Sequence, residues 1–162
     1  MMVLRPFEEN DAALLEKWLY APHVAKWYRH PDHWLAEIRG RHNEFGFITH
    51  FIAVADGVPI GFCQHYDAHF AREHEIWNDE PEISQTEGEI YSIDYLIGDP
   101  EFLGKGYGKE IVRLLCEEAA GIGAKRIIVD PEKDNLASNR ALEANGFAHN
   151  GNHYVKDLRN KM

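Results

Sequence analysis

A chain of 162 residues, 44% apolar and 12% aromatic, is one domain's length and holds enough apolar surface for its own core, which excludes a disordered segment. Its formal charge of −10 argues against nucleic acid, because phosphate binding needs a basic face. No apolar run approaches the ~20 residues of a membrane span, and Met1-Met2-Val3-Leu4-Arg5-Pro6 lacks the basic-then-apolar plan of a signal peptide, so a cytoplasmic protein with no membrane partner is expected.

Residues 3–5 read as a first strand. Residues 8–20 read as a helix with Leu14, Leu15, Trp18 and Leu19 as its apolar stripe, ended by Pro22. An aromatic turn follows over 23–29. A short helix over 32–41 turns Trp34, Leu35 and Ile38 inward. Residues 47–55 and 59–66 form a hairpin about Asp56-Gly57. Residues 67–88 show no period and carry Glu73, Glu75, Asp79, Glu80, Glu82 and Glu87 with Phe70 and Trp77, which fits either a substrate lid or a solvated acidic loop. Cys63 and Cys116 fall inside regular elements without metal-type spacing, which suits reduced, buried thiols. His65, His69 and His74 form no recognisable ligand pattern, so no metal is expected.

Residues 89–98 read as the central strand. Ile90, Ser92, Asp94 and Leu96 share one face, and Tyr91, Ile93, Tyr95 and Ile97 the other. An aspartate among such neighbours is a site candidate, because burial raises its pKa and a nearby cation lowers it. A structural aspartate bonded to backbone N–H groups is the alternative. A helix over 109–120 turns Ile111, Leu114, Leu115 and Ala119 inward, and a buried strand covers 125–129. The last helix covers 134–145, capped by Asp134 or a neighbour and closed by Gly146. Residues 147–148 and 153–158 read as closing strands.

Between the central strand and the following helix lies Leu103-Gly104-Lys105-Gly106-Tyr107-Gly108. A strand, a glycine-rich turn and a helix N-terminus make an anion site, since glycines let successive N–H groups converge where the helix dipole is positive. A turn with no ligand is the alternative. The spacing matches neither the P-loop nor the dinucleotide fingerprint.

This loop resembles the coenzyme A loop of GCN5-related N-acetyltransferases (GNAT), written Gln/Arg-x-x-Gly-x-Gly/Ala. Gly106 and Gly108 fill the small positions, and Leu103 stands where the family usually has Gln or Arg. The run from Asn135 to Phe147 resembles the family's Asn-x-x-Ala/Ser-x-x-x-Tyr-x-x-x-Gly-Phe segment, with Leu142 in place of the tyrosine. Three shorter runs look like aminoglycoside 6′-N-acetyltransferases: Glu16-Lys17-Trp18-Leu19 leading to Val24-Ala25-Lys26-Trp27-Tyr28, Pro59-Ile60-Gly61-Phe62-Cys63-Gln64-His65-Tyr66, and Ser92-Ile93-Asp94-Tyr95-Leu96-Ile97. Asp130-Pro131 resembles their acidic residue before the Asn segment.

The resemblance implies a single α/β (α+β) domain over residues 1–162, with a central mixed, mostly antiparallel sheet flanked by helices and splayed at the acetyl-CoA strand. It implies acetyl transfer from acetyl-CoA, as cosubstrate and without a metal, to a primary amine of an aminoglycoside-like polycation, by a monomer or homodimer. Asp94 would be the base. Leu96, Ile97, Leu103, Gly104, Lys105, Gly106, Tyr107, Gly108, Lys109, Asn135 and Asn139 would contact the coenzyme, with a backbone N–H near Leu96 at the developing oxyanion. Trp27, Gln64, Trp77, Asp94 and Asp130 would face the acceptor, although either tryptophan also suits a core or lid. With Leu142 at the tyrosine position, water or Tyr107 is left to protonate the thiolate. Another acceptor (a siderophore lysine or hydroxylamine, a polyamine, a protein N-terminus) and a non-catalytic acyl-CoA-binding module are the competing readings.

Overall fold

The computed structural model describes residues 1–74, 76–77 and 86–158. Their backbone forms one seven-stranded sheet: β1 (Met2–Pro6), β2 (Ile48–Ala55), β3 (Val58–Asp67), β4 (Ile90–Ile97), β5 (Arg126–Val129), β6 (Ala148–His149) and β7 (Tyr154–Asp157), in spatial order β1-β2-β3-β4-β5-β7-β6. The β4–β5 pair alone is parallel; every other ladder is antiparallel. The closing strands pair as expected, but β7 comes between β5 and β6. Asp56 and Gly57 both take positive φ in the β2–β3 turn, which the right-handed strand twist favours.

The alternation along β4 sorts the core. Ile93 and Tyr95 pack under α5 (Tyr107–Gly121) and α6 (Leu136–Ala144), against Ile111, Leu115 and Leu142. Leu96 faces the other way, into a cluster built by α1 (Ala12–Leu19), α2 (Pro22–Ala25) and α3 (Pro31–Arg39) through Leu15, Trp18, Val24 and Ile38. A two-sided sheet of this kind buries apolar residues on both faces of its central strands.

Three expectations change, and the cap of the last helix narrows to one residue. Pro22 opens α2 instead of merely ending α1, because its fixed φ and missing N–H suit a first helical position. Helix α5 begins at Tyr107, so the last residues of the glycine run already belong to it. Helix α6 is capped by Asn135, whose side chain accepts from the Ser138 N–H. The stretch after β3 is regular at its start, with α4 (Ala68–Ala71) and a 3₁₀ turn over Arg72–His74. Asp67 ties both ends of that excursion, accepting from His69 N at 3.0 Å and from Gly88 N at 2.7 Å. Glu75, Asp79, Glu80 and Glu82 lie outside the described residues. No helix among the described residues is long and apolar enough to cross a membrane.

Candidate active site

Strands β4 and β5 hold together only from Ile90–Ser92 against Arg126–Ile128. Beyond Ser92 one edge of β4 is open. Two side chains cover part of it: Tyr28 Oη donates to the Tyr95 carbonyl, and His23 Nε2 donates to the Ile97 carbonyl at 2.9 Å. Because each residue of a strand turns its N–H and C=O to the same edge, the N–H groups of Tyr95 and Ile97 face the opening too. Leu96 points the other way. Its carbonyl lies against Gly61 of β3, 2.3 Å from where a Cβ would stand. The expected N–H near Leu96 therefore shifts to its neighbours, Tyr95 or Ile97.

A channel of about 240 Å³ runs along this edge, lined by His23, Val24, Trp27, Tyr28, Tyr95, Leu96, Ile97, Leu103, Gly108, Asn135, Ala137, Ser138 and Ala141. It ends at the start of α5, where first-turn N–H groups have no acceptor within the helix. Gly104 (φ 73°) and Gly106 (φ 85°) take left-handed backbone there, and a Cβ on Gly104, Gly106 or Gly108 would meet open space. Free donors, a positive helix end and a narrow, largely apolar channel fit a diphosphate joined to a flexible chain. Leu103 differs from expectation in one respect, because its N–H is spent on the Pro100 carbonyl at 3.2 Å. Lys105 lies over the Phe102 ring, and Tyr107 packs edge-on to the same ring. Of the expected coenzyme contacts, Gly104, Lys105, Gly106, Tyr107, Lys109 and Asn139 do not line the channel. The Asn139 amide instead donates to the Glu132 and Asn135 carbonyls, bracing the turn before α6.

A second cavity, about 430 Å³, adjoins the channel between β4 at Ser92–Tyr95 and the end of β5. It brings together Trp27, Trp77, Asp94 and Asp130 with Tyr28, Trp34, Tyr66, Tyr95, Glu132, Ser138 and His153. Trp77 donates to the Tyr66 hydroxyl at 3.0 Å and packs edge-on to His153. Gln64 does not line this cavity. It lies behind Asp94 as its cross-strand partner, and its Nε2 donates to Asp94 Oδ2 at 2.9 Å. Carboxylates set among aromatic faces attract cations by charge and by ring quadrupole.

Burial pushes the Asp94 carboxyl up to about 6, and the Gln64 hydrogen bond only partly opposes this. Sequence reasoning passed over Glu37, which burial and the neighbouring Asp94 charge push to about 7. It also passed over Ser138. The channel and the cavity share Trp27, Tyr28, Tyr95, Asn135 and Ser138, so these residues form their seam. Tyr95 Oη sits 2.5 Å from Ser138 Oγ at that seam. Ser138 precedes Leu142 by one helical turn on the same face of α6, and this i, i+4 relation to the expected tyrosine position was the available signal. Leu142 itself is fully buried and lines neither space.

Residues 8–155 match the family model described as an acetyltransferase (GNAT) domain. The chain is 30% identical over 157 residues to aminoglycoside N(6′)-acetyltransferase type 1 of Klebsiella pneumoniae, spanning 93% of this chain and 75% of that protein. The protein of the same name from Serratia marcescens matches to the same extent. The solved structure of aminoglycoside acetyltransferase AAC(6′)-Ib with coenzyme A and kanamycin superposes with a TM-score of 0.82 at 28% identity, covering 98% of this chain and 95% of that one. With residues 8–155 matched by the family's model, and with an apolar channel meeting an acidic cavity where β4 and β5 part, this chain belongs to the GNAT acetyltransferase family.

Proposed function

We propose that the chain moves an acetyl group from acetyl-CoA to a primary amine of an aminoglycoside, in keeping with the kanamycin-bound structure it resembles. The observation that carries this reading is the meeting of the two spaces. The apolar channel reaches a cavity whose walls hold Asp94, Asp130 and Glu132 between Trp27, Trp34, Trp77 and Tyr66. Such a cavity suits a bulky polycation better than a flat or neutral amine. On this reading residues 1–162 act as one N-acetyltransferase domain in the cytoplasm, as a monomer or homodimer.

Acetyl-CoA supplies an activated acetyl group on a thioester. The N–H groups from Gly104 to Lys109 hold its diphosphate, and the open edge of β4 guides the rest of the chain along the channel. An incoming ammonium ion must lose a proton before its nitrogen can attack. Asp94 takes that proton, directly or through one water, and returns it to solvent. The Tyr95 or Ile97 N–H receives the charge that builds on the carbonyl oxygen. As the new C–N bond forms and the C–S bond breaks, the nitrogen sheds a second proton, which balances the departing thiolate as free thiol. Ser138 is the hydroxyl at the seam, and it donates a hydrogen bond to that sulfur. Ser138→Ala is expected to lower kcat about tenfold, the worth of one hydrogen bond to a charged group. Acetyl-CoA affinity should stay unchanged, as read by single-turnover kinetics beside equilibrium binding. An unchanged kcat would remove Ser138 from the step.

The function is tested by free-thiol release from acetyl-CoA with kanamycin, ribostamycin, spermidine, lysine and a short peptide offered separately. Saturable turnover with the two aminoglycosides, and little with the rest, is the expected result. Turnover confined to another amine would keep the chemistry and overturn the acceptor. Acetyl-CoA binding with no turnover at all would favour a binding module.

A further inference from the structure

Behind Asp94 lies a smaller chamber of about 190 Å³, lined by Trp34, Glu37, Phe47, Ile48, Gln64, Tyr66, Ile76 and Asp94. It shares Trp34, Tyr66, Ile76 and Asp94 with the acceptor cavity, so it is a recess of that cavity. It shares no lining residue with the donor channel, so a group seated there is not the one acetylated.

The chemistry of its polar walls is one-sided. Gln64 is 2% exposed, and its Nε2 donates to Asp94. The same amide lies beside Glu37 on the recess wall and partly offsets the upward push of burial on that carboxyl. With its Nε2 turned to Asp94, Gln64 leaves its Oε1 buried and without a partner. Burying an acceptor without a partner is unfavourable, so its presence calls for an unseen donor. Around it stand the Glu37 and Asp94 carboxylates, and among the described residues neither has a cationic partner. The other titratable neighbour is the Tyr66 hydroxyl, which burial holds in its neutral form. With both carboxyls ionised, every wall group short of a partner accepts, and the two carboxylates repel each other. A group with several N–H donors and a positive charge satisfies all three at once.

We propose that this recess is an ammonium subsite, in which Glu37, Asp94 and the Gln64 carbonyl hold a second amine of the polyamine acceptor while its first amine reaches the seam. This rests on the reading of the larger cavity as the acceptor site. It makes Glu37, on the helix α3 face that also carries Trp34, a specificity-determining residue for polyamines over monoamines. The seated ammonium also keeps Asp94 ionised beside Glu37, so the correct acceptor readies its own base.

Glu37→Gln keeps the shape and one acceptor atom and removes the charge. For kanamycin its KM should rise about tenfold or more, with kcat for the bound complex and KM for acetyl-CoA within twofold of the parent chain. A kanamycin KM within twofold would overturn the subsite and leave the function standing. A second measurement does not depend on turnover: quenching of tryptophan fluorescence by 1,3-diaminopropane and by propylamine, with Trp27, Trp34 and Trp77 all lining the cavity. The diamine should bind about tenfold more tightly than the monoamine and lose that advantage in Glu37→Gln. Equal binding of the two amines by the parent chain would overturn the proposal even where kanamycin is turned over. Retention of the advantage without turnover of any aminoglycoside would support the subsite and sink only the aminoglycoside assignment.

Discussion

Asp94→Asn is expected to cut kcat/KM for the amine acceptor by about 10²–10⁴, the usual worth of a positioned general base, while acetyl-CoA binds normally. The substitution is gentle, since the asparagine carbonyl still accepts from Gln64 Nε2 and only proton-accepting power is lost. The pH dependence carries more information. With its carboxyl pushed to about 6, the parent enzyme should lose acceptor kcat/KM as pH falls through 6, and Asp94→Asn should lack that limb. Stability should move the other way. An unfolded aspartate ionises near 4, so between pH 4 and 6 the unfolded chain gives up its proton first and the fold loses stability as pH rises. Above pH 6 the full cost is about 2–3 kcal/mol. Asp94→Asn should therefore raise Tm at pH 7–8 and leave it unchanged below pH 4. Thermal melts across that range, beside steady-state kinetics, check both halves. Wild-type turnover in the variant, with normal acetyl-CoA binding, would exclude Asp94 as the base.

Gly61→Ala should damage both stability and turnover, although Gly61 touches neither cavity. A Cβ there would stand 2.3 Å from the Leu96 carbonyl oxygen. The obstacle is backbone, so no rotamer change relieves it, and β3 must part from β4. Overpacking of this kind costs about 1–3 kcal/mol, or several degrees of Tm for a chain of this size. Strand β4 also carries Asp94 and the open edge, and a shift of about 1 Å in a reacting group costs up to about 10²-fold. Gly57→Ala is the matched control. Its φ of 84° strains an alanine by about 1 kcal/mol, but its Cβ meets open space in the β2–β3 turn, and Gly57 lines neither the channel nor the cavity. Both variants should melt earlier, and only Gly61→Ala should lose kcat. Equal kcat in the two would mean that the β3–β4 spacing does not position the base.

Part of the site was legible because its residues lie on local patterns. Asp94 stands out in an alternating apolar strand, and the spacing of Gly104, Gly106 and Gly108 announces a turn with room beside it. Glu37 and Ser138 carry no such mark. Glu37 reads as an ordinary polar position on a short helix until α3 packs over β3 and brings it to Gln64. His23 on α2 and Tyr28 just beyond it read as an aromatic turn, and their role depends on bonds to Ile97 and Tyr95, about seventy residues away. Helix α5 starts two residues before the sequence pattern indicates, because glycines suppress a helix signal that the loop geometry then supplies.

By itself the amino-acid order determined the strand and helix types, the two apolar faces of β4, the glycine turn and the segment from Asn135 to Phe147 that marks the family. Those features follow from side-chain period and backbone freedom, which act within a few residues. Tertiary structure alone decided that β4 and β5 part after Ser92, that β7 enters between β5 and β6, and that one amide faces two carboxylates. Each depends on which distant edges meet and how much water they exclude. Burial, not sequence, then turns an ordinary aspartate into a group that titrates near 6.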